Sequence, residues 1–367
     1  MNRIMYVFAL AVIAAASMPA KAVNFDNLEW SVQYMVDTSQ SDFGQIQSSS
    51  PRDNRGLAIS PDGRYLYAGY NNSPAVRRID LTVNDYIDAA DAQVTGVRGK
   101  SISVDDAGRV YFAEGTSIKI YNSDLSSNIF NLTGLSNSEG VSVKRQGGQL
   151  AVYNTDRTTG ALNKWLLTES GGSITGAALD TSFGTGGSVS LASNLRGLEV
   201  DSSGNIWVAG YGSNQVFVVS SDGSSYQTIN GVASPIDIDF TDSSVFVTQY
   251  TQRQISVFDS VLLSLQETIS MPWANLELDA DGQSGGGALA GIVIFGDDLY
   301  VSNEAGQTAN EKSTYGRIDG KSGYIGDKFY TDLNADDNDP IFHTVIPEPA
   351  TIAILSIGAV LALRKRK

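Results

Sequence analysis

The 367-residue chain contains no cysteine. Thiol nucleophiles, iron–sulfur clusters, Cys-ligated zinc and disulfides are all excluded, so the fold must be held by its core alone. There is a single histidine, His343, and it lies close to the C-terminus. A Ser-His-Asp triad or a multi-histidine metal site in the body is excluded with it. Positive charge is scarce, with 25 basic against 40 acidic residues and a net charge of −15. The two chain ends hold six of those basic residues and one acidic residue, which leaves 19 and 39 for the segment between them. Such a field repels nucleic acid and anionic lipid, and nucleic acid is excluded as a partner. Long amphipathic helical patterns are missing as well. With 37 glycines and only 18% charged residues, the composition predicts an all-β protein rich in turns.

What is present begins at the ends. Arg3 precedes an apolar run from Met5 to Ala16, and Ala20-Lys21-Ala22 supplies a small-x-small cleavage pattern. Residues 1–22 therefore read as a secretory signal peptide, handled by a signal peptidase, with the mature chain starting at Val23. At the other end, an acidic linker (336–346) leads into three parts in fixed order. These are Pro347-Glu348-Pro349, an apolar segment from Ala350 to Leu363, and the basic cluster Arg364-Lys365-Arg366-Lys367. The apolar segment is a short membrane-spanning helix by length, and the terminal basic residues favour the cytoplasmic side.

Between the ends a β unit repeats. Arg55 opens RGLAISPDGRYLYAGY and Arg196 opens RGLEVDSSGNIWVAGY; related copies open at Arg98, Glu139, Ser234 and Ala290. Each copy is a strand, a tight Asp/Gly/Ser turn and a second strand, and most continue into a third, as in SIKIYN (Ser117 to Asn122). Turn markers at Gly63, Gly108, Gly148, Gly204, Ser243 and Asp297 recur at the period of a four-stranded propeller blade, with insertions in the third and fifth units. The expectation for residues 23–335 is thus an all-β, six-bladed β-propeller, or seven-bladed if the N-terminal strand belongs to a degenerate unit. Leu28 to Val36 alternates cleanly before the first copy and is expected to complete the last blade, together with Gly316 to Gly320 and Tyr324 to Tyr330.

The C-terminal three-part signal (347–367) resembles the PEP-CTERM sorting signal, with Ile346 where valine is usual. That resemblance implies recognition by an exosortase, transient anchoring by the C-terminal helix, and delivery to the cell surface or extracellular matrix of a Gram-negative bacterium that makes exopolysaccharide or biofilm. The blade pattern over about residues 40–335 resembles the YncE, NHL and SMP-30/gluconolactonase-like group, which implies the fold more than any chemistry.

Two acidic stretches resemble partial calcium loops. Glu277-x-Asp279-x-Asp281-Gly282 has Ala288 where a bidentate Glu is needed, and Asp332-x-Asn334-x-Asp336 has Asp337 in place of glycine. Neither is complete, so calcium is a weak candidate and no cofactor is required. Arg55, Arg98, Glu139 and Arg196 precede the innermost strand of four units and are expected at one channel mouth, a setting suited to a carboxylate or acidic sugar. Lactonases of the SMP-30 type carry a metal-binding Glu in an E-G-P context; Glu139-Gly140 resembles it, with Val141 for proline. The expected function is a non-catalytic surface or matrix module, binding exopolysaccharide or other surface proteins. The alternative is a divalent-metal hydrolase of the lactonase type.

Overall fold

The computed structural model describes residues 32–37, 54–71, 74–82, 90–270, 288–296, 298–304, 314–319, 328–329 and 341–342. The segments expected to be a signal peptide (1–22) and a sorting signal (347–367), and both calcium candidates (Asp279, Asp281, Asp332, Asn334, Asp336), lie outside them. No described residue is helical.

The repeat seen in the sequence becomes a series of antiparallel meanders. Sheet I consists of Asn54–Ile59, Tyr65–Tyr70, Ala75–Asp80 and Ala90–Thr95 in that order. Sheet IV runs through Leu195–Val200, Ile206–Gly210, Gln215–Val219 and Tyr226–Asn230; sheet V through Pro235–Phe240, Ser244–Gln249, Gln254–Asp259 and Leu265–Ser270. Sheets II and III are fused. Ile102–Val104, Val110–Ala113 and Gly115–Tyr121 pair onto the first half of one long strand, Asn128–Gln146, whose second half opens sheet III with Gln149–Asp156, Ala161–Ser170 and Ser173–Leu179. The short strand Ser188–Ser190 pairs with Ala161–Ser170, and this added turn of chain accounts for the long third unit.

Sheet VI is built from both ends of the described chain. Ala288–Phe295, Asp298–Glu304 and Thr314–Asp319 are followed by Val32–Asp37, paired antiparallel with Met35 opposite Gly316. Of the strand expected over Tyr324 to Tyr330 only Lys328–Phe329 is described, and it pairs with Ile341–Phe342 in a separate two-stranded ladder rather than within sheet VI.

The innermost strands contact one another in cyclic order, I to II and so on to VI, and VI touches I again. The core is divided accordingly. Five hydrophobic clusters are described, each between neighbouring sheets rather than in one central mass. Tyr67, Val76, Val110 and Phe112 fill the I–II seam, and Trp207, Val216, Val245 and Val247 the IV–V seam. A strand buried on both faces needs apolar residues at consecutive positions, which is why Ile206–Gly210 and Val110–Ala113 are buried throughout. This is a β-propeller: no sheet can bury both faces alone, whereas a ring of sheets does.

The turn glycines explain the repeat at residue level. Gly63, Gly108, Gly148 and Gly204 all have positive φ, between 73° and 87°. Three of them close a turn onto the residue three positions earlier, as Gly204 N–H does onto Asp201 O at 3.0 Å. Asp201 organises its turn further, its Oδ1 accepting from Ser203 N and Asn205 N and its Oδ2 from Trp207 Nε1.

Candidate functional site at the channel mouth

The first residues of the inner strands come together around the ring axis, and glycines allow it. A Cβ on Gly291 would lie 2.1 Å from Arg55 O, one on Gly140 2.4 Å from Arg196 O, and one on Gly56 2.7 Å from Gly99 O. The glycine in each R-G, E-G or A-G step is therefore the point where neighbouring strands touch. Hydroxyls stitch the same level. Thr155 Oγ1 accepts from Gly140 N at 2.8 Å and donates to Arg196 O in the next sheet at 2.5 Å. Thr248 Oγ1 repeats the relay from Asp237 N to Ala290 O.

At that level sits Glu139, only 3% exposed. Its Oε1 accepts from Lys100 Nζ at 2.6 Å and Arg157 Nη1 at 3.5 Å. Its Oε2 faces Arg196 Nη1 at 3.0 Å and Arg55 Nη1 at 3.6 Å. Four cations from four sheets converge on one carboxylate. Burial by itself would raise the Glu139 pKa, but the charges of Arg196, Lys100 and Arg55 prevail and hold it below the usual carboxylate range. Arg196 also lies over the Tyr211 ring, 4.9 Å from its centroid.

Three of the four residues expected here do meet: Arg55, Glu139 and Arg196. Arg98 does not; it is exposed, and its backbone N–H points to Glu114 Oε1. Lys100 occupies its place. The misplacement has a simple cause, because R-G at 98–99 is out of step with the strand that follows. Gly63 follows Arg55 by eight residues, as Gly204 follows Arg196, and eight residues before Gly108 stands Lys100. Counting back from the turn finds the right residue, whereas matching the R-G pair does not. Arg157, at the end of a second strand, carries no repeat signal.

Below the cluster, a central cavity of about 450 Å³ is lined by residues of every inner strand. The channel-facing edges of these strands have N–H groups without a strand partner, and side chains of the preceding sheet receive them. Ser101 and Ser103 Oγ accept from Val141 N and Val143 N, each at 3.1 Å. Asp237 Oδ2 accepts from Ile292 N at 3.2 Å and Asp239 Oδ2 from Ile294 N at 2.5 Å. Ser142 Oγ donates to Glu199 Oε1 at 2.9 Å. The channel reaches Glu199, Asp237 and Asp239, yet the sheets enclose them, and enclosure governs their titration. Burial raises all three; Asp239 is pushed up to about 8, first by desolvation and then by Glu199.

A divalent metal does not fit the Glu139 position. Both carboxylate oxygens are already occupied by cations, and a further positive ion would meet four positive charges. Among the described residues no three His, Cys, Asp or Glu side chains are grouped to hold a metal ion.

No family model matches the chain, and no curated protein matches its sequence. Similar solved structures include a catalytically inactive virginiamycin B lyase from Staphylococcus aureus with quinupristin, 13% identical over 73% of this chain and 96% of that one, TM-score 0.47. A nidogen/laminin complex is 16% identical over 61% of this chain and 82% of that chain, TM-score 0.46. A protein of unknown function from Bacteroides caccae is 11% identical over 65% and 81%, TM-score 0.45. The propeller assignment rests on the sheet order and the closed cycle of inner strands.

Proposed function

We propose that this chain is an exported, non-catalytic binding protein with a six-bladed propeller body, closed by its N-terminal strand, that holds an anionic partner at the cation-rich channel mouth. The carrying observation is the convergence of Lys100, Arg55, Arg157 and Arg196 on a single carboxylate in a protein of net charge −15. Arg157 has 44% of its side chain exposed, within reach of a ligand. Planar guanidinium groups suit carboxylates, so acidic sugars or peptide carboxylates are the ligand class. The three-part C-terminus supports handling by an exosortase and an association with exopolysaccharide at the surface of a Gram-negative cell.

Two experiments test the two halves of this reading. Soluble polyuronate should bind the purified protein at low salt, and Arg157→Ala should weaken binding about tenfold; equal binding by the variant removes the mouth from the proposal. Deleting residues 347–367 should release the protein from cells into the medium. Unchanged surface retention would overturn the sorting assignment.

A further inference from the structure

A second binding feature lies on the opposite side of the ring, where the turns between inner strands emerge. A groove of about 980 Å³ runs between sheets IV and V from the channel to the rim. Its inner end is acidic, with Glu199, Asp201, Asp239 and Asp242, against one cation, Lys144. The rest of its lining mixes hydroxyl-bearing residues with Tyr226, Val261 and Leu263, and the hairpin 259–264 forms its lip.

That lip is unusual for a soluble surface. Val261 is 83% exposed and Leu262 74%, and Leu265 and Tyr226 are also exposed. Single exposed apolar residues are ordinary, but three exposed aliphatic side chains in five positions, of which Val261 lines the groove and Leu262 and Leu265 lie beside it in sequence, mark an interaction surface. The hairpin presents them in a fixed shape. Val261 N–H and Leu262 N–H both donate to Asp259 Oδ1, at 2.8 and 2.7 Å, and Leu263 N–H donates to Asp259 O at 3.0 Å. Leu263 itself has φ of 55°, a left-handed conformation that L side chains rarely adopt. Leu263 packs against the IV–V core, which anchors the tip while its two neighbours point outward.

We propose that this groove docks a cationic polypeptide segment, its lysine or arginine side chains directed to the acidic inner end and its apolar side chains laid on the Val261-Leu262-Leu265 lip. Charge complementarity selects this occupant: Asp201 and Asp242 line the groove against the single cation Lys144, in a chain of net charge −15, so an anionic chain is disfavoured, and a neutral sugar would leave the aliphatic lip unused. Burying aliphatic side chains beside a steering charge is the usual division between affinity and specificity in peptide recognition. The proposal is independent of the cationic mouth, which lies at the other end of the inner strands.

The test uses the purified full chain and a fluorescently labelled peptide of alternating leucine and lysine, read by anisotropy at low salt. Val261→Ser/Leu262→Ser should raise its Kd about tenfold or more, and Asp242→Lys should do the same. All three sites are exposed, so folding should be retained and is checked by thermal denaturation. Arg157→Ala should leave peptide binding unchanged while weakening polyuronate, so failure here is distinguishable from failure of the mouth. Equal binding of a leucine–glutamate peptide, no effect of either variant, or tighter binding of a neutral oligosaccharide would each overturn the proposal. Concentration-dependent dimerisation abolished by the Val261/Leu262 variant would overturn it too, assigning the lip to a second copy.

Discussion

Glu139 is the residue whose loss the fold should feel most. Its carboxylate is buried among four cations, so Glu139→Gln would leave like charges facing one another without their shared partner. The expected cost is about 3–5 kcal/mol, read as a lowered denaturation midpoint, with Glu139→Asp recovering part of it. Because its pKa is held below the ordinary value, its contribution is present above about pH 4.5 and is lost as the pH falls through the folded value. Asp239 acts in the opposite sense. Its folded pKa of about 8 lies above the unfolded one, so between about pH 4 and pH 8 the folded state binds the extra proton. Stability should therefore fall as the pH rises through that window, with Glu199 and Asp237 adding to the decline. Asp239→Asn should flatten it, gaining about 2–4 kcal/mol at pH 8 relative to its effect at pH 5 in urea titrations. A wild-type stability that rises monotonically to pH 8 would contradict this reading of the channel acids.

At the scale of strands and turns, much was legible in the sequence. The paired words from Arg55 and Arg196, the turn glycines and the third strands such as Gln215–Val219 all sit where the alternation places them. The fusion of sheets II and III was not legible, because nothing in the residues 128–146 marks the point where one strand changes partners; the choice is made by the neighbouring strands. The channel site was half legible. Arg55, Glu139 and Arg196 carry the repeat, whereas Lys100 is hidden by two residues of slippage and Arg157 by its position outside the repeat. Asp237 and Asp239 do leave a trace, as Glu199 does, since I-D-I-D-F and L-E-V alternate acid with apolar residues where inner strands such as G-L-A-I and S-I-S-V alternate small or neutral ones. The glycines at the inner ends allow a sharper test. Gly291→Ala puts a Cβ 2.1 Å from backbone Arg55 O and should cost about 1–3 kcal/mol, while Gly176→Ala, with its nearest atom 3.8 Å away and no positive φ, should be nearly neutral. Equal costs at the two positions would mean that the ring does not close tightly at Gly291.

For the molecule as a whole, stability is distributed over seams, so a lesion in one seam should be felt locally before it opens the ring. Sheet VI is the exception, because its outer strand comes from the other end of the chain. Removing residues 32–37 would expose the edge of Thr314–Asp319. The truncated protein should show a lower unfolding midpoint and a greater tendency to aggregate, measured by light scattering during heating; an unchanged midpoint would show that this pairing contributes little.

The same pairing sets a clock on maturation. Val36 and Tyr315 are neighbours in space but stand near opposite ends of the described chain, so their contact forms only after nearly everything between them has been made. Closing so long a loop is slow, and a nascent chain that has delivered only its first five sheets has nothing to pair with its leading strand. A polypeptide of this layout stays incompletely locked, and hence threadable, until its final strands are synthesised. On the proposed export route, that delay keeps the leading strand available for transport.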